Sequence, residues 1–161
     1  KKSEYDQILD KAGSIQKKWR EIPAPRRGEF LRVFGNQLRE SQEDIAHCIM
    51  TDARKIRTEA LGEVQEAIDM CDFAVGLSRQ LYGLTISSER PEHKLQEAYH
   101  PIGVIGVITA FNFPCAVWAW NHCLSMVCGN SVVWKDSPKA LNVTVACKKA
   151  WDQAVQNCMP G

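Results

Sequence analysis

Tyr99-His-Pro-Ile-Gly-Val-Ile-Gly-Val-Ile-Thr-Ala-Phe-Asn-Phe-Pro114, followed after a helix-like segment by Gly129-Asn-Ser-Val-Val-Trp-Lys135, decides how this chain folds. At this point the apolar spacing changes from helical periodicity to β-branched runs. Val104 to Thr109 is β-branched apart from Gly106, the composition of a strand buried on both faces, as in a parallel sheet covered by helices. Ala110 to Pro114 then turns the chain. Cys115 to Cys128 carries Val117, Trp118, Trp120, Leu124 and Val127 at helix spacing, and Gly129-Asn130 ends it, with glycine suited to a left-handed cap. Ser131 to Trp134 reads as a second buried strand. Ser137 is placed to cap a further helix with Pro138 at its first position, running through Leu141, Val145, Ala146, Ala150 and Val155. This β-α-β-α order implies a parallel, right-handed unit of an α/β fold. Two strands do not complete a doubly wound sheet, so the domain is incomplete.

Upstream, the pattern is helical. Tyr5, Ile8, Leu9, Ala12, Ile15 and Trp19 recur at three- and four-residue steps on one face. This helix should stop before Pro23 and Pro25. A second follows from about Arg26 to Glu40, burying Phe30, Leu31, Phe34 and Leu38. Ser41 with Asp44 resembles a capping box opening a short third helix through Ile45, Ala46 and Ile49. After a polar turn, Thr51 to Arg57, a long helix carries Leu61, Val64, Ala67, Ile68, Cys71, Ala74, Val75 and Leu81, with Thr58 as N-cap and Gly83 as the stop. Met70 and Cys71 read as core filling. Leu84-Thr-Ile and Lys94 to Tyr99 then read as two short strands around the polar turn Ser87 to Pro91, an arm able to reach another subunit. The organisation is residues 1–83 as amino-terminal helices, 84–100 as a two-stranded arm and 101–161 as the first part of a nucleotide-type domain.

Of 161 residues, 45% are hydrophobic and 24% charged, with a formal net charge of +1. The composition is globular, and the charge gives no reason to expect nucleic acid or an anionic membrane as partner. The short basic runs Lys17, Lys18, Arg20 and Arg26, Arg27 read as solvated helix faces. No run approaches the roughly 18 apolar residues of a membrane span. No signal-like apolar region follows the first residues, so a soluble protein of the cytoplasm is expected, with the mitochondrial matrix as alternative. The chain starts on Lys1 without Met and closes on Met159-Pro160-Gly161, a turn signal leading out of a helix, which suggests a fragment. The seven cysteines include no Cys-x-x-Cys pair and are expected to be reduced thiols. His122-Cys123 and His47-Cys48 are adjacent pairs, whose side chains point about 100° apart on a helix, so no metal site is expected.

In an open α/β sheet, ligands bind at the carboxyl ends of the strands. Thr109, Ala110, Phe111 and Asn112 fall there after the first strand, and Lys135 and Asp136 after the second. Asn112 could offer its side-chain amide to a developing oxyanion without titrating, or could be a turn asparagine bonding its own backbone. Lys135 could meet a phosphate or ribose hydroxyl, or be solvated. Gly103-x-x-Gly106 lies at the start of and within the strand, so the Gly-x-Gly-x-x-Gly phosphate fingerprint is not matched.

Pro101 to Pro114, together with Gly129-Asn130-Ser-Val-Val-Trp-Lys135-Asp-Ser-Pro138, closely resembles the NAD(P)-dependent aldehyde dehydrogenase superfamily. The Thr-Ala-Phe-Asn-Phe-Pro form is most similar to its antiquitin branch, which oxidises α-aminoadipic semialdehyde. The helical lead-in and arm match that family's amino-terminal portion in order and length. The resemblance implies a Rossmann-like sheet and a homo-oligomer, with NAD, or alternatively NADP, as cofactor and an aldehyde as substrate. It makes Asn112 the catalytic oxyanion donor, Ile108, Thr109, Ala110 and Phe111 the lining of the cofactor cleft, and Lys135 the contact to the adenosine ribose. Many relatives carry a glutamate three residues after that lysine. Pro138 stands there, which leaves NAD against NADP open.

The family's Gly-Gln-x-Cys, Glu-Leu-Gly-Gly and Thr-Gly-Ser segments, which supply nucleophile, base and phosphate turn, do not occur in the sequence. Cys115 starts an apolar helix without a paired base and is not expected to replace that nucleophile. The chain alone is expected to be inactive. It reads either as part of an aldehyde dehydrogenase, whose whole oxidises an aldehyde to a carboxylate, or as a truncated scaffold or assembly module.

Overall fold

The computed structural model describes residues 2–158, so the Met159-Pro160-Gly161 turn lies outside the described residues. Four helices lead: α1 (Lys2–Trp19), α2 (Ala24–Glu40), α3 (Gln42–Ala53) and α4 (Arg57–Leu77). A two-stranded antiparallel arm follows, β1 (Thr85–Ser87) with β2 (Lys94–Gln96). The remainder is β3 (Val104–Ile108), α5 (Ala116–Val127), β4 (Ser131–Lys135) and α6 (Leu141–Cys158), with β3 and β4 parallel. No helix among the described residues is long and apolar enough to cross a membrane.

The core lies where α2, α3, α4, α5 and α6 meet. Phe34, Leu31, Leu38, Ile45, Ile49, Ile68, Val64, Val127 and Val143 are fully buried in it. The expected faces of α2 and α4 supply most of these, because their apolar residues recur at i, i+3 and i+4. Trp118 stacks on Trp134 at 4.6 Å, joining α5 to β4, and Phe30 and Phe34 meet Trp151 edge to face at 4.9 and 5.1 Å.

Several boundaries differ from the sequence expectation, each for a local reason. Helix α2 starts at Ala24 rather than Arg26, since Pro25 in a first turn forfeits no hydrogen bond. Ser41 makes no side-chain cap to α3. Its backbone is near-helical (φ −97°, ψ 8°) and its N–H still donates to Gln37, so it ends α2 instead of adopting the extended form an N-cap requires. Helix α3 continues through Thr51, whose hydroxyl bonds back to the His47 carbonyl, and stops at Arg54 in the left-handed conformation, φ 57°. Helix α4 takes Ile56, not Thr58, as N-cap and ends at Leu77, before Gly83.

Helix α6 also differs. Ser137 closes a turn with Ala140 rather than capping the helix, and Leu141 and Val145 are exposed. Ala150 is buried as expected, but Val143, Cys147 and Ala154 complete the buried stripe in place of Leu141 and Val145. Both sets have helical spacing, so only the direction of packing onto α2 and α3 distinguishes them.

Strand β3 is not buried on both faces. Ile105 and Val107 alternate onto one face, where Val107 is buried; Val104, Gly106 and Ile108 lie on the other, where Ile108 is 78% exposed. A groove of about 570 Å3 on that side is bounded by Tyr5, Leu9, Ile108, Val133 and Lys135. For the same reason the apolar face of α1, which packs along β3 and β4, leaves Tyr5, Ile8 and Ile15 about half exposed.

Arg27 corrects the reading of its basic run as solvated. It is buried, and its Nε donates to the Val127 carbonyl at 2.9 Å. Trp19 Nε1 reaches the Met126 carbonyl (2.8 Å) and Gln16 Nε2 that of Gly129 (3.0 Å). Three side chains of α1 and α2 thus bond carbonyls at and just beyond the end of α5, the Met126 carbonyl also accepting from the Gly129 N–H, and the one cation among them meets the negative end of the helix dipole. Gly129 turns the chain there with φ 88°, the left-handed cap expected of it.

Candidate active-site cleft

The register of the parallel pair assembles the cleft. Ile108 lies opposite Lys135 at the carboxyl ends of β3 and β4, and the Thr109 N–H donates to the Lys135 carbonyl at 3.1 Å, extending the ladder by one residue. Thr109 is buried, with its hydroxyl accepting from Trp134 Nε1 at 2.9 Å. Its side chain is therefore used to fix the strand ends together. Ile108, Ala110, Phe111 and Asn112 are exposed beyond it, and the Lys139 ammonium sits 5.2 Å from the Phe111 ring centroid.

Asn112 makes no side-chain hydrogen bond among the described residues, so it does not bond its own backbone as a turn asparagine would. Its amide donors are free toward solvent. Lys135 is likewise exposed, without an ion pair among the described residues. Its sequence neighbour Asp136 is turned away, accepting from the Thr144 hydroxyl at 2.7 Å.

The amino ends of both helices behind the strands carry carboxylates that the sequence reading missed. Glu63 on α4 has no exposed side-chain surface; its Oε1 accepts from the N–H groups of Cys115 (2.8 Å) and Ala116 (3.2 Å). Asp52 at the end of α3 accepts from the N–H groups of Asn142 (3.0 Å) and Val143 (3.2 Å). A free helix amino end is a ready anion site. Here a fixed negative charge already occupies each one, so a phosphate would be repelled from both. The available signal for Glu63 was an acid beside Val64 on an otherwise apolar stripe, but nothing local identified the amides it serves.

Cys115 is fully buried, 3.7 Å from the Cys147 sulfur. That thiol contact, then burial, holds its pKa well above the ordinary thiol value, leaving it protonated and enclosed, the opposite of an activated nucleophile. His122 lies among Trp118, Trp151 and Phe34 with both ring nitrogens unpaired, and burial pushes its pKa down to about 3. It is neutral at physiological pH. No group of three or more His, Cys, Asp or Glu among the described residues could hold a metal ion.

The profile of the aldehyde dehydrogenase family matches residues 1–159. An aldehyde dehydrogenase family 7 member A1 of Malus domestica is 51% identical over 146 residues, 91% of this chain and 29% of that protein. The α-aminoadipic semialdehyde dehydrogenase of Bos taurus is 42% identical over 160 residues, 99% of this chain and 30% of that one. The glyceraldehyde-3-phosphate dehydrogenase GapN of Methanocaldococcus jannaschii, solved with NADP, superposes with a TM-score of 0.90 at 25% identity, covering 97% of this chain and 34% of that one. The chain thus spans about a third of the length of the proteins it matches. It belongs to the aldehyde dehydrogenase family, in the branch of the family 7 members and α-aminoadipic semialdehyde dehydrogenases that its Asn-Phe-Pro and Trp-Lys segments resemble.

Proposed function

We propose that this chain forms one wall of the active site of an NAD(P)-dependent aldehyde dehydrogenase, which oxidises an aldehyde, with a semialdehyde such as α-aminoadipic semialdehyde as candidate, to a carboxylate. The observation that carries the reading is Asn112: exposed, without a side-chain hydrogen bond among the described residues, and in the turn that follows the carboxyl end of β3, where Ile108 pairs with Lys135. An amide donor at this position can stabilise the oxygen of an aldehyde as a nucleophile adds to it, which is worth about 3 to 4 kcal/mol of barrier.

The cofactor fits the same wall. Ile108 offers an exposed apolar side chain, Ala110 and Phe111 continue the surface, and Lys135 offers a free ammonium for ribose hydroxyls. Bound NAD(P) would supply the hydride acceptor. Its phosphates require partners other than the amino ends of α5 and α6, which Glu63 and Asp52 fill. With Pro138 after Lys135 and Asp136 engaged by Thr144, the turn holds no free carboxylate to repel a 2′-phosphate, so NADP as well as NAD is acceptable. The arm β1–β2, exposed along its whole length, suits contact with a second copy, and the seven free cysteines suit a reducing compartment, cytoplasm or mitochondrial matrix.

In the full-length enzyme carrying this segment, Asn112→Ala should lower kcat for aldehyde oxidation about 10²-fold or more while leaving the KM for NAD near its starting value. Normal turnover in that variant overturns the oxyanion assignment.

A further inference from the structure

The turn that presents Asn112 is clamped from the helical lead-in, and we propose that Lys55 and Glu63 are positioning residues that set the Asn112 amide for the reaction. The proposal rests on the oxyanion reading of Asn112 above and adds residues that do not touch the aldehyde.

The clamp has three points. Pro114 is fully buried. Glu63 Oε1 holds the N–H groups of Cys115 and Ala116, the two residues after that proline. Glu63 Oε2 meets the Lys55 ammonium at 2.6 Å, and the same ammonium lies 3.5 Å from the centroid of the Phe113 ring. Lys55 thus joins the carboxylate to the residue directly following Asn112. The left-handed Arg54, at the end of α3, redirects the chain just before Lys55.

Asn112 has no side-chain hydrogen bond among the described residues, so the backbone around it decides where its amide starts from. A charged acceptor on helix amides gives short, strong hydrogen bonds, and an ammonium over an aromatic face restrains the ring. An ion pair this enclosed contributes little net stability relative to apolar packing; its use is to select one geometry. Displacement of a reacting group's partner by about 1 Å can slow a reaction as much as 10²-fold. Glu63 stands 52 residues before Cys115 and Lys55 still earlier, and the packing of α4 against α5 brings Glu63, with Lys55 just ahead of α4, to the turn.

The test uses the full-length enzyme with Glu63→Gln, Lys55→Met and Phe113→Leu, each alone and combined with Asn112→Ala. Every single variant should lower kcat about 10-fold or more, with the KM for NAD changed less than about twofold, and Lys55→Arg should restore most of the rate. In the Asn112→Ala background the same substitutions should cost no further rate, because the group they position is gone. Unchanged kcat in the single variants, or a fully multiplicative loss in the double variants, overturns the positioning role while leaving the oxyanion reading intact. Normal turnover in Asn112→Ala alone overturns both. If Glu63→Gln does not fold, Lys55→Met and Phe113→Leu, at less buried positions, carry the test with the same outcomes.

Discussion

Asp52, in the last turn of α3, is the amino-terminal cap of α6: its Oδ2 accepts from the backbone N–H groups of Asn142 and Val143, 90 and 91 residues further on, and its Oδ1 from the Asn142 side-chain amide at 2.7 Å. A carboxylate at the end of its own helix is poorly placed, and the positive end of α6 compensates it. The contact ties the lead-in to the helix after β4. Asp52→Ala should cost about 1 kcal/mol. That corresponds to a fall in thermal midpoint of about 2 to 4 °C, read by circular dichroism. Asp52→Asn should lose less, since an amide oxygen still accepts; equal loss in both variants would mean that charge, not hydrogen bonding, dominates.

The acid stability of the chain should carry the signature of His122. Its pKa is about 3 when folded against 6.5 for the free imidazole, so between those values the unfolded chain binds a proton that the folded chain refuses. Stability from this group is complete above pH 6.5 and is lost as the pH falls toward 3, at up to about 1.4 kcal/mol per pH unit. His122→Phe keeps a ring among Trp118 and Trp151 and removes both unpaired nitrogens. Urea titrations at pH 5 and 7.5 should differ less in this variant than in the parent, and an unchanged difference would contradict the assignment.

Thiol chemistry should divide the cysteines by burial. Cys71, Cys115, Cys123 and Cys147 are fully enclosed, whereas Cys48, Cys128 and Cys158 are partly exposed. Burial raises the pKa of Cys48, Cys128 and Cys158, so they hold less thiolate at neutral pH than free cysteine does. Iodoacetamide labelling followed by peptide mass spectrometry should find only these three modified in the native chain, faster as the pH rises above about 9. Rapid native labelling of Cys115 would contradict its enclosure.

The isolated 161-residue chain should self-associate. Ile102 and Ile108 are 87% and 78% exposed, and Leu141 and Val145 leave an apolar patch on α6. A two-stranded parallel sheet also retains unpaired strand edges. Sedimentation velocity should show oligomers that Val145→Lys with Leu141→Gln diminishes. A monomer with a sharp thermal transition would overturn this expectation.

Much of the architecture was legible in local spacing. The α1, α2 and α4 stripes, the hairpin arm, the parallel strands at Val104 and Ser131 and the left-handed turn at Gly129 all follow from residue types within a few positions of one another. The candidate site rested on a general rule, that strand ends are where an α/β sheet leaves backbone and side chains open. Local spacing failed where two faces of one helix were almost equally apolar, as with Leu141 and Val145 against Val143 and Cys147. It failed again at caps, where Ser41, Thr58 and Ser137 have the preferred residue type without the required backbone conformation or helix start.

By itself, the sequence determined the order of elements and which side chains stand at the strand ends, since period and turn chemistry are properties of neighbouring residues. Only the tertiary structure decided what holds those ends in place. Arg27 read locally as a solvated charge, Asp52 and Lys55 as part of a polar turn, and Glu63 drew no reading, yet helix packing brings Asp52, Glu63 and Arg27 to backbone groups 50 to 100 residues away. The reason is physical: a helix end left without partners in a packed interior is costly, and the group that satisfies it need only be near in space.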